Sequence, residues 1–137
     1  MAGLVVDASI ALSAVLPDEM NQRANLAWEL MVTKGALVPS HWPLEVANGL
    51  LIAQRRKRIT DIDRRETISD LLSISLTLDG RTMEMAWSDA SVLAARHKLT
   101  VYDAAYLELA MRADLPLATL DDELFRAARR ERVELVA

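Results

Sequence analysis

The chain has 137 residues, 52% of them hydrophobic, with 16 Lys+Arg against 20 Asp+Glu and a net charge of −4. That length suits one domain, residues 1–137, with a true hydrophobic core, and no apolar run is long enough to cross a bilayer. With no cysteine there is no disulfide framework, thiolate nucleophile or Cys-based zinc centre; the N-terminus carries no export signal, so a cytoplasmic protein is expected.

Residues 3–6, "GLVV", read as a buried strand, followed by a helix over 9–15 and a second over 18–33. The second opens at "PDE", where Asp18 and Glu19 favour a positive helix N-terminus, and Gly35 ends it. "ALV" at 36–38 is a second strand. A helix from Trp42 to Arg56 or Lys57 follows, with Pro43 tolerated in its first turn. Residues 60–72 form another helix, with Thr60 as N-cap and Asp63 in the capping-box position. "SISL" at 73–76 is a third strand and 81–98 a helix. A helix over 100–114, begun near Tyr102, leads to a fourth strand, "PLATL", at 116–120. A helix over 121–131 and a fifth strand, "VELV", at 133–136 complete the chain.

Strands alternating with helices predict an α/β fold, a three-layer αβα arrangement around a mostly parallel sheet of about five strands. Right-handed crossovers then put helices on both faces. In such sheets ligands bind beyond the carboxyl ends of the strands, where the strand order reverses.

Carboxylates recur at that rim. Asp7 ends the first strand, and Asp121, with Asp122 beside it, ends the fourth. Glu45 in "HWPLEVANGL" and Asp103 in "TVYDAAYLELA" fall in first turns of helices. Each alone has a structural reading as a helix cap or a first-turn acid answering the helix dipole. Together they demand more. Two carboxylates ~4 Å apart repel by about 4 kcal/mol at an effective dielectric near 20. Oxygen-only ligands suit Mg²⁺ or Mn²⁺, and such ions commonly serve phosphodiester hydrolysis. Setting four acids aside leaves 16 against 16, so the charge balance has room for a cation site. The same acidic balance counts against a protein that simply coats duplex nucleic acid.

"LVVDASIAL", "PLEVANGL", "TVYDAAYLELA" and "LATLDDEL" resemble, in order and spacing, the four acidic motifs of PIN-domain proteins, and above all VapC-type toxins of toxin–antitoxin pairs. The resemblance covers essentially the whole chain and is most specific from Thr100 to Leu124. It implies the PIN-like αβα fold and the acidic quartet Asp7, Glu45, Asp103 and Asp121. Asp121 is preferred to Asp122 because the motif's acid directly follows the strand, two residues past a Thr, here Thr119. Ser9 matches a small hydroxyl position supporting the first acid, and Asn48 a frequent polar neighbour of Glu45. The resemblance further implies a Mg²⁺- or Mn²⁺-dependent endoribonuclease, homodimeric and silenced by a cognate antitoxin. Asp7, Asp103 and Asp121 are expected to hold the metal, with Glu45 a further ligand or orienting the attacking water.

Other features have two readings each. "RRKR" at 55–58 and Arg126, Arg129, Arg130 and Arg132 are basic; Arg126, Arg129 and Arg130 share a helical face suited to RNA phosphates, or they solvate a helix C-terminal end. Trp28, Met31 and Trp42 suit a groove for an antitoxin helix, or core, the second reading expected for two of the three. Tyr102 stacks on a base or packs beside Asp103. His97 reads as structural, and with His41 it is too little for a His-rich metal centre. The apolar surplus in so short a chain predicts a dimer or partner surface. Two rival functions fit the sequence less well. A phosphotransfer domain lacks its second acid after Asp7 and a strand-end lysine. A non-catalytic RNA- or protein-binding module predicts loss of quartet acids, and all four are present.

Overall fold

A computed structural model describes residues 2–16 and 21–137, so Asp18 and Glu19, expected to open the second helix, lie outside the described residues. The elements in chain order are β1 (Leu4–Val6), α1 (Ala8–Leu12), α2 (Gln22–Lys34), β2 (Ala36–Val38), α3 (Trp42–Arg55), α4 (Asp61–Leu72), β3 (Leu76–Leu78), α5 (Thr82–Ala86), α6 (Asp89–His97), α7 (Val101–Ala113), β4 (Leu117–Ala118) and α8 (Asp122–Arg130). All strand pairs are parallel, in the order β3-β2-β1-β4. Connections from β1 to β2 to β3 step one way across the sheet, and the path to β4 returns to the other side of β1. With right-handed crossovers, α1–α4 cover one face and α5–α7 the other. The order reverses between β1 and β4, whose carboxyl ends lead to Asp7 and Asp121.

Local chemistry explains most boundaries. Asn21 caps α2 through a bond from Ala24 N, and Gly35 ends it at φ 75°. A Cβ on Gly35 would also meet Ser75 O at 2.9 Å, so a side chain is excluded there twice over. Gly49 lets α3 lie on α1, because a Cβ would come within 2.6 Å of Leu12. The capping box of α4 forms as expected: Asp63 N donates to Thr60 Oγ1 at 3.1 Å, and Thr60 N to Asp63 Oδ2 at 2.9 Å.

Four expectations on elements need correction. The fifth strand at 133–136 does not form; Leu135 makes only an isolated parallel bridge to Leu117. The end of α8 consumes the residues before it, since Arg132 takes φ 61° and Val133 N donates to Ala128 O. Among the described residues the sheet therefore has four strands. β3 begins at Leu76, not at residue 73, because the amides of Ser73 and Ile74 bond back to Asp70 and Leu71 at the end of α4. The single helix over 81–98 is two, broken at Ser88 (φ −129°, ψ −102°), with Ser91 Oγ bonding the freed Ala86 carbonyl. α1 stops at Leu12, short of residue 15.

The core gathers β1, with Leu4, Val5 and Val6 fully buried, and the side of α2 that carries Ala24, Ala27 and Met31. α7 is buried continuously from Ala104 to Ala110, which marks it as a central helix. That placement buries Glu108, whose charge is met by Arg112 at 2.8 Å; Arg112 also pairs with Asp79 at 2.7 Å. Among the described residues no helix is long and apolar enough to cross a membrane.

Candidate active site

β1 ends directly in Asp7, whose extended backbone makes it the N-cap of α1. Its Oδ1 accepts from Ser9 N at 3.1 Å and from Ser9 Oγ at 2.5 Å, while its Oδ2 accepts from Thr119 Oγ1. Both hydroxyls also accept from the turn after β4: Ser9 Oγ from Leu120 N at 2.9 Å, and Thr119 Oγ1 from Asp121 N at 3.0 Å. Two hydroxyl relays thus lock the end of β1 to the end of β4. Asp121 is in turn the N-cap of α8, accepting from Leu124 N at 2.8 Å.

The other two acids arrive on helices. Glu45 is in the first turn of α3, and Asp103 in the first turn of α7, where Thr100 Oγ1 accepts from its amide at 3.1 Å. Tyr106 lies three positions along α7 from Asp103, on the same side of the helix. Its hydroxyl donates to Glu45 Oε1 at 3.0 Å. The same oxygen lies 2.8 Å from His41 Nε2, which is also 3.2 Å from the Tyr102 carbonyl.

Electrostatics bind the four segments into one rim. Burial pushes the Asp7 carboxyl up to about 6; hydrogen bonds from the Ser9 and Thr119 hydroxyls and the Ile10 backbone N–H oppose this, and the Asp103 charge adds to it. Asp103 is raised first by burial, then by the charges of Asp121 and Glu45, with a further push from Glu123. Tyr106 is held far above the usual phenol range by burial and by Glu45, so it remains a donor. Among the described residues, neither Asp7, Asp103 nor Asp121 pairs with a basic side chain.

Among the described residues, no three acidic or histidine side chains stand at metal-ligand spacing. Asp7 and Asp121 spend lone pairs on caps and relays, which orients them without exhausting a carboxylate's roughly four acceptor sites. The donor chemistry still fits a hard divalent cation, for it is all oxygen, and among the described residues its three aspartates have no basic partner. A cleft of about 390 Å³ lined by Ser9, Asn21, Leu120 and Asp121 opens beside it.

Other expected site residues fall elsewhere. Asn48 is exposed and its side chain bonds no described residue; Asp122 is exposed in the first turn of α8, outside the relay. Arg126 and Arg130 are exposed, while Arg129 lies 5.5 Å from the Phe125 ring centroid. Arg55 is ten residues past Glu45, about 15 Å along α3. Met31 and Trp42 are core; Trp28 is half-buried and donates to Ile10 O at 2.8 Å. His97 pairs with Glu131 at 2.6 Å, a structural tie. The Tyr102 ring is exposed.

Sequence reasoning passed over four residues: His41, Tyr106, Glu123 and Arg23. His41 stands one helical turn before Glu45, and Tyr106 one turn after Asp103, a spacing that flags both. Arg23 sits 4.1 Å over the Phe125 ring and donates to Thr119 O at 3.4 Å, the carbonyl two residues before Asp121. No local pattern announces it.

The PIN domain family model matches residues 4–130. The chain is 32% identical over 121 residues to Ribonuclease VapC3 of Pyrobaculum aerophilum, covering 88% of this chain and 91% of that protein. The crystal structure of PAE2754 from Pyrobaculum aerophilum superposes with a TM-score of 0.65 at 20% identity, over 98% of this chain and 90% of that one. That last likeness is one of fold. With its parallel sheet, its acid-bearing rim and a family match that runs nearly end to end, the chain belongs to the PIN-domain family.

Proposed function

We propose that this chain is a single-domain endoribonuclease, the toxin of a type II toxin–antitoxin pair, acting in the cytoplasm as a homodimer with Mg²⁺, or Mn²⁺ in its place. The observation that carries the reading is the convergence of Asp7, Glu45, Asp103 and Asp121 from four segments, with no basic partner for the three aspartates among the described residues and with Asp7 pushed up to about 6. The name of the VapC3 relative, a ribonuclease, supports the substrate class, and VapC-type kinship supports a cognate antitoxin.

Asp7, Asp103 and Asp121 would hold the ion, with Glu45 a further ligand or the group that orients the attacking water. When bound, it would supply Lewis-acid polarisation of the phosphodiester and an acidified water. The chain's own residues do the remaining work. Ser9 and Thr119 fix the Asp7 carboxylate by donating to both its oxygens. Thr100 fixes the backbone under Asp103. Arg23, held on Phe125 beside the β4 end, offers its unused N–H groups to a flanking phosphate; Arg129, and more remotely Arg126 and Arg130, extend that positive side. In-line attack leaves 5′-phosphate and 3′-hydroxyl ends.

The test is 5′-end mapping of total cellular RNA incubated with purified protein and Mn²⁺, beside Asp7→Asn and Asp103→Asn. New 5′-phosphate ends with the wild type alone are expected. Equal patterns from all three would overturn cleavage and leave a binding module on the same fold.

A further inference from the structure

His41 stands in the N-cap position of α3 yet makes no capping bond. N-caps are ordinarily Ser, Thr, Asp or Asn, so capping does not account for a histidine here. Its imidazole is turned inward, toward the acids. Nε2 lies 2.8 Å from Glu45 Oε1 and 3.2 Å from the Tyr102 carbonyl oxygen. A carboxylate and a carbonyl can only accept, so the ring proton must sit on Nε2 and be shared between them. The ring is flanked by Tyr102 and Tyr106, with centroids 5.9 and 5.2 Å away and tilts of 58° and 57°. Such tilted contacts hold an aromatic ring in one orientation.

Two donors therefore meet one oxygen. His41 Nε2–H and Tyr106 O–H both reach Glu45 Oε1, while Oε2 receives no hydrogen bond from a described residue. The Tyr102 carbonyl belongs to the first turn of α7, one residue before Asp103. Glu45 and Asp103 carry like charge, and Glu45 adds to the upward push that burial and Asp121 give Asp103. His41 spans the gap between the two helices that carry these charges.

We infer that His41 is a positioning residue: its shared Nε2–H ties the Glu45 carboxylate on α3 to the α7 N-terminus carrying Asp103, and with Tyr106 leaves Glu45 to present Oε2 to the site. The role rests on the reading of the acid rim as a nuclease centre. The geometry of the clamp does not.

Two measurements separate the two. The first uses ¹⁵N-labelled wild-type protein without divalent metal, with long-range ¹H–¹⁵N correlation of the imidazoles. The expected spectrum shows His41 protonated at Nε2, and Tyr106→Phe shifts the Nε2 resonance. A ring proton on Nδ1 with none on Nε2 overturns the clamp whatever the protein cleaves. The second compares RNA cleavage by wild type, His41→Ala and His41→Gln, after thermal melts confirm folding. His41→Ala should lower kcat about 10- to 100-fold with KM changed less than about threefold, as expected for loss of an outer-shell orienting bond. His41→Gln, whose amide N–H can reach the same two acceptors, should recover to within roughly fivefold of wild type. Unchanged kcat in His41→Ala, or equal losses in both variants, overturns the positioning role. If wild type and Asp103→Asn both fail to cleave, the nuclease reading fails and takes the positioning role with it, while the NMR result still decides the clamp.

Discussion

Replacing Asp7 by asparagine should stabilise the protein at alkaline pH and destabilise it slightly in acid. Burial pushes the Asp7 carboxyl up to about 6 in the folded chain, against about 4 for an unperturbed aspartate. The native state therefore holds its proton more tightly than the unfolded state does. Between about pH 4 and 6 the folded protein binds more protons, so stability falls as pH rises through that window. At 1.36 kcal/mol per pKa unit the full loss is about 3 kcal/mol, reached by pH 7–8. Asparagine never ionises and is as good an N-cap, so it can keep the bonds from Ser9 N and Oγ. It loses one acceptor, however. Its NH₂ faces the Thr119 hydroxyl, which already accepts from Asp121 N, so the Thr119 proton must find a new partner at a cost of about 1 kcal/mol. The balance is a variant about 2 kcal/mol more stable at pH 8 and about 1 kcal/mol less stable near pH 3.5. For 137 residues, 1 kcal/mol corresponds to roughly 3–4 °C in Tm. Urea and thermal unfolding of both proteins in EDTA from pH 3.5 to 8 should show curves that cross. Parallel curves would refute the claim that an ionised Asp7 is held against its own preference.

The remaining predictions probe the relay, the ion and the core network. Thr119→Val removes the donor to Asp7 Oδ2 and the acceptor for Asp121 N together; a loss of about 1.5–3 kcal/mol is expected by urea unfolding at pH 8, and less at pH 5 where Asp7 is largely protonated. Mg²⁺ at about 100 times its Kd should stabilise wild type by about 2.7 kcal/mol and Asp103→Asn by much less, measured as Tm shifts. Arg112→Met strands the carboxylates of Asp79 and Glu108, whose side chains are 8% and 5% exposed, so about 3–5 kcal/mol should be lost; a urea midpoint within error of wild type would show that network to be dispensable.

Legibility from sequence followed the range of the interactions involved. The Thr60–Asp63 capping box, Pro43 in the first turn of α3 and the stop at Gly35 are settled within a few residues, and they fell where the sequence placed them. Strand limits were harder because β strands of two or three residues carry almost no periodicity. Their edges are decided by hydrogen bonds at the ends of neighbouring helices, as at Ile74 and Val133. The acids were visible because each follows a strand or opens a helix. For His41 and Tyr106 the sequence offers only a one-turn spacing from Glu45 and Asp103; what gives them a role is their meeting across 61 positions with Tyr102 and Glu45. Arg23 belongs to the same class: it reaches Thr119 across 96 positions, and nothing near it in the chain hints at that contact.

The local ambiguity of the acids and their joint chemistry have one physical origin. Asp7 and Asp121 are N-caps of α1 and α8, while Glu45 and Asp103 open α3 and α7, so every carboxylate of the rim sits at a helix N-terminus. Each such terminus offers up to about half a positive charge, less for a helix as short as α1. Four of them offset at most about two of the four negative charges. The remainder has three outlets: a proton, a hydrogen bond or a cation. Asp7 shows the first in its pKa near 6, and Glu45 shows the second in its bonds from His41 and Tyr106. Among the described residues Asp103 and Asp121 lack a basic partner, so in the proposed reading the third outlet falls to them, joined by Asp7 once its proton is released. A sequence that places an acid at a helix start is therefore consistent with simple capping in each instance. The topology that points four such starts at one rim is what leaves charge over for chemistry.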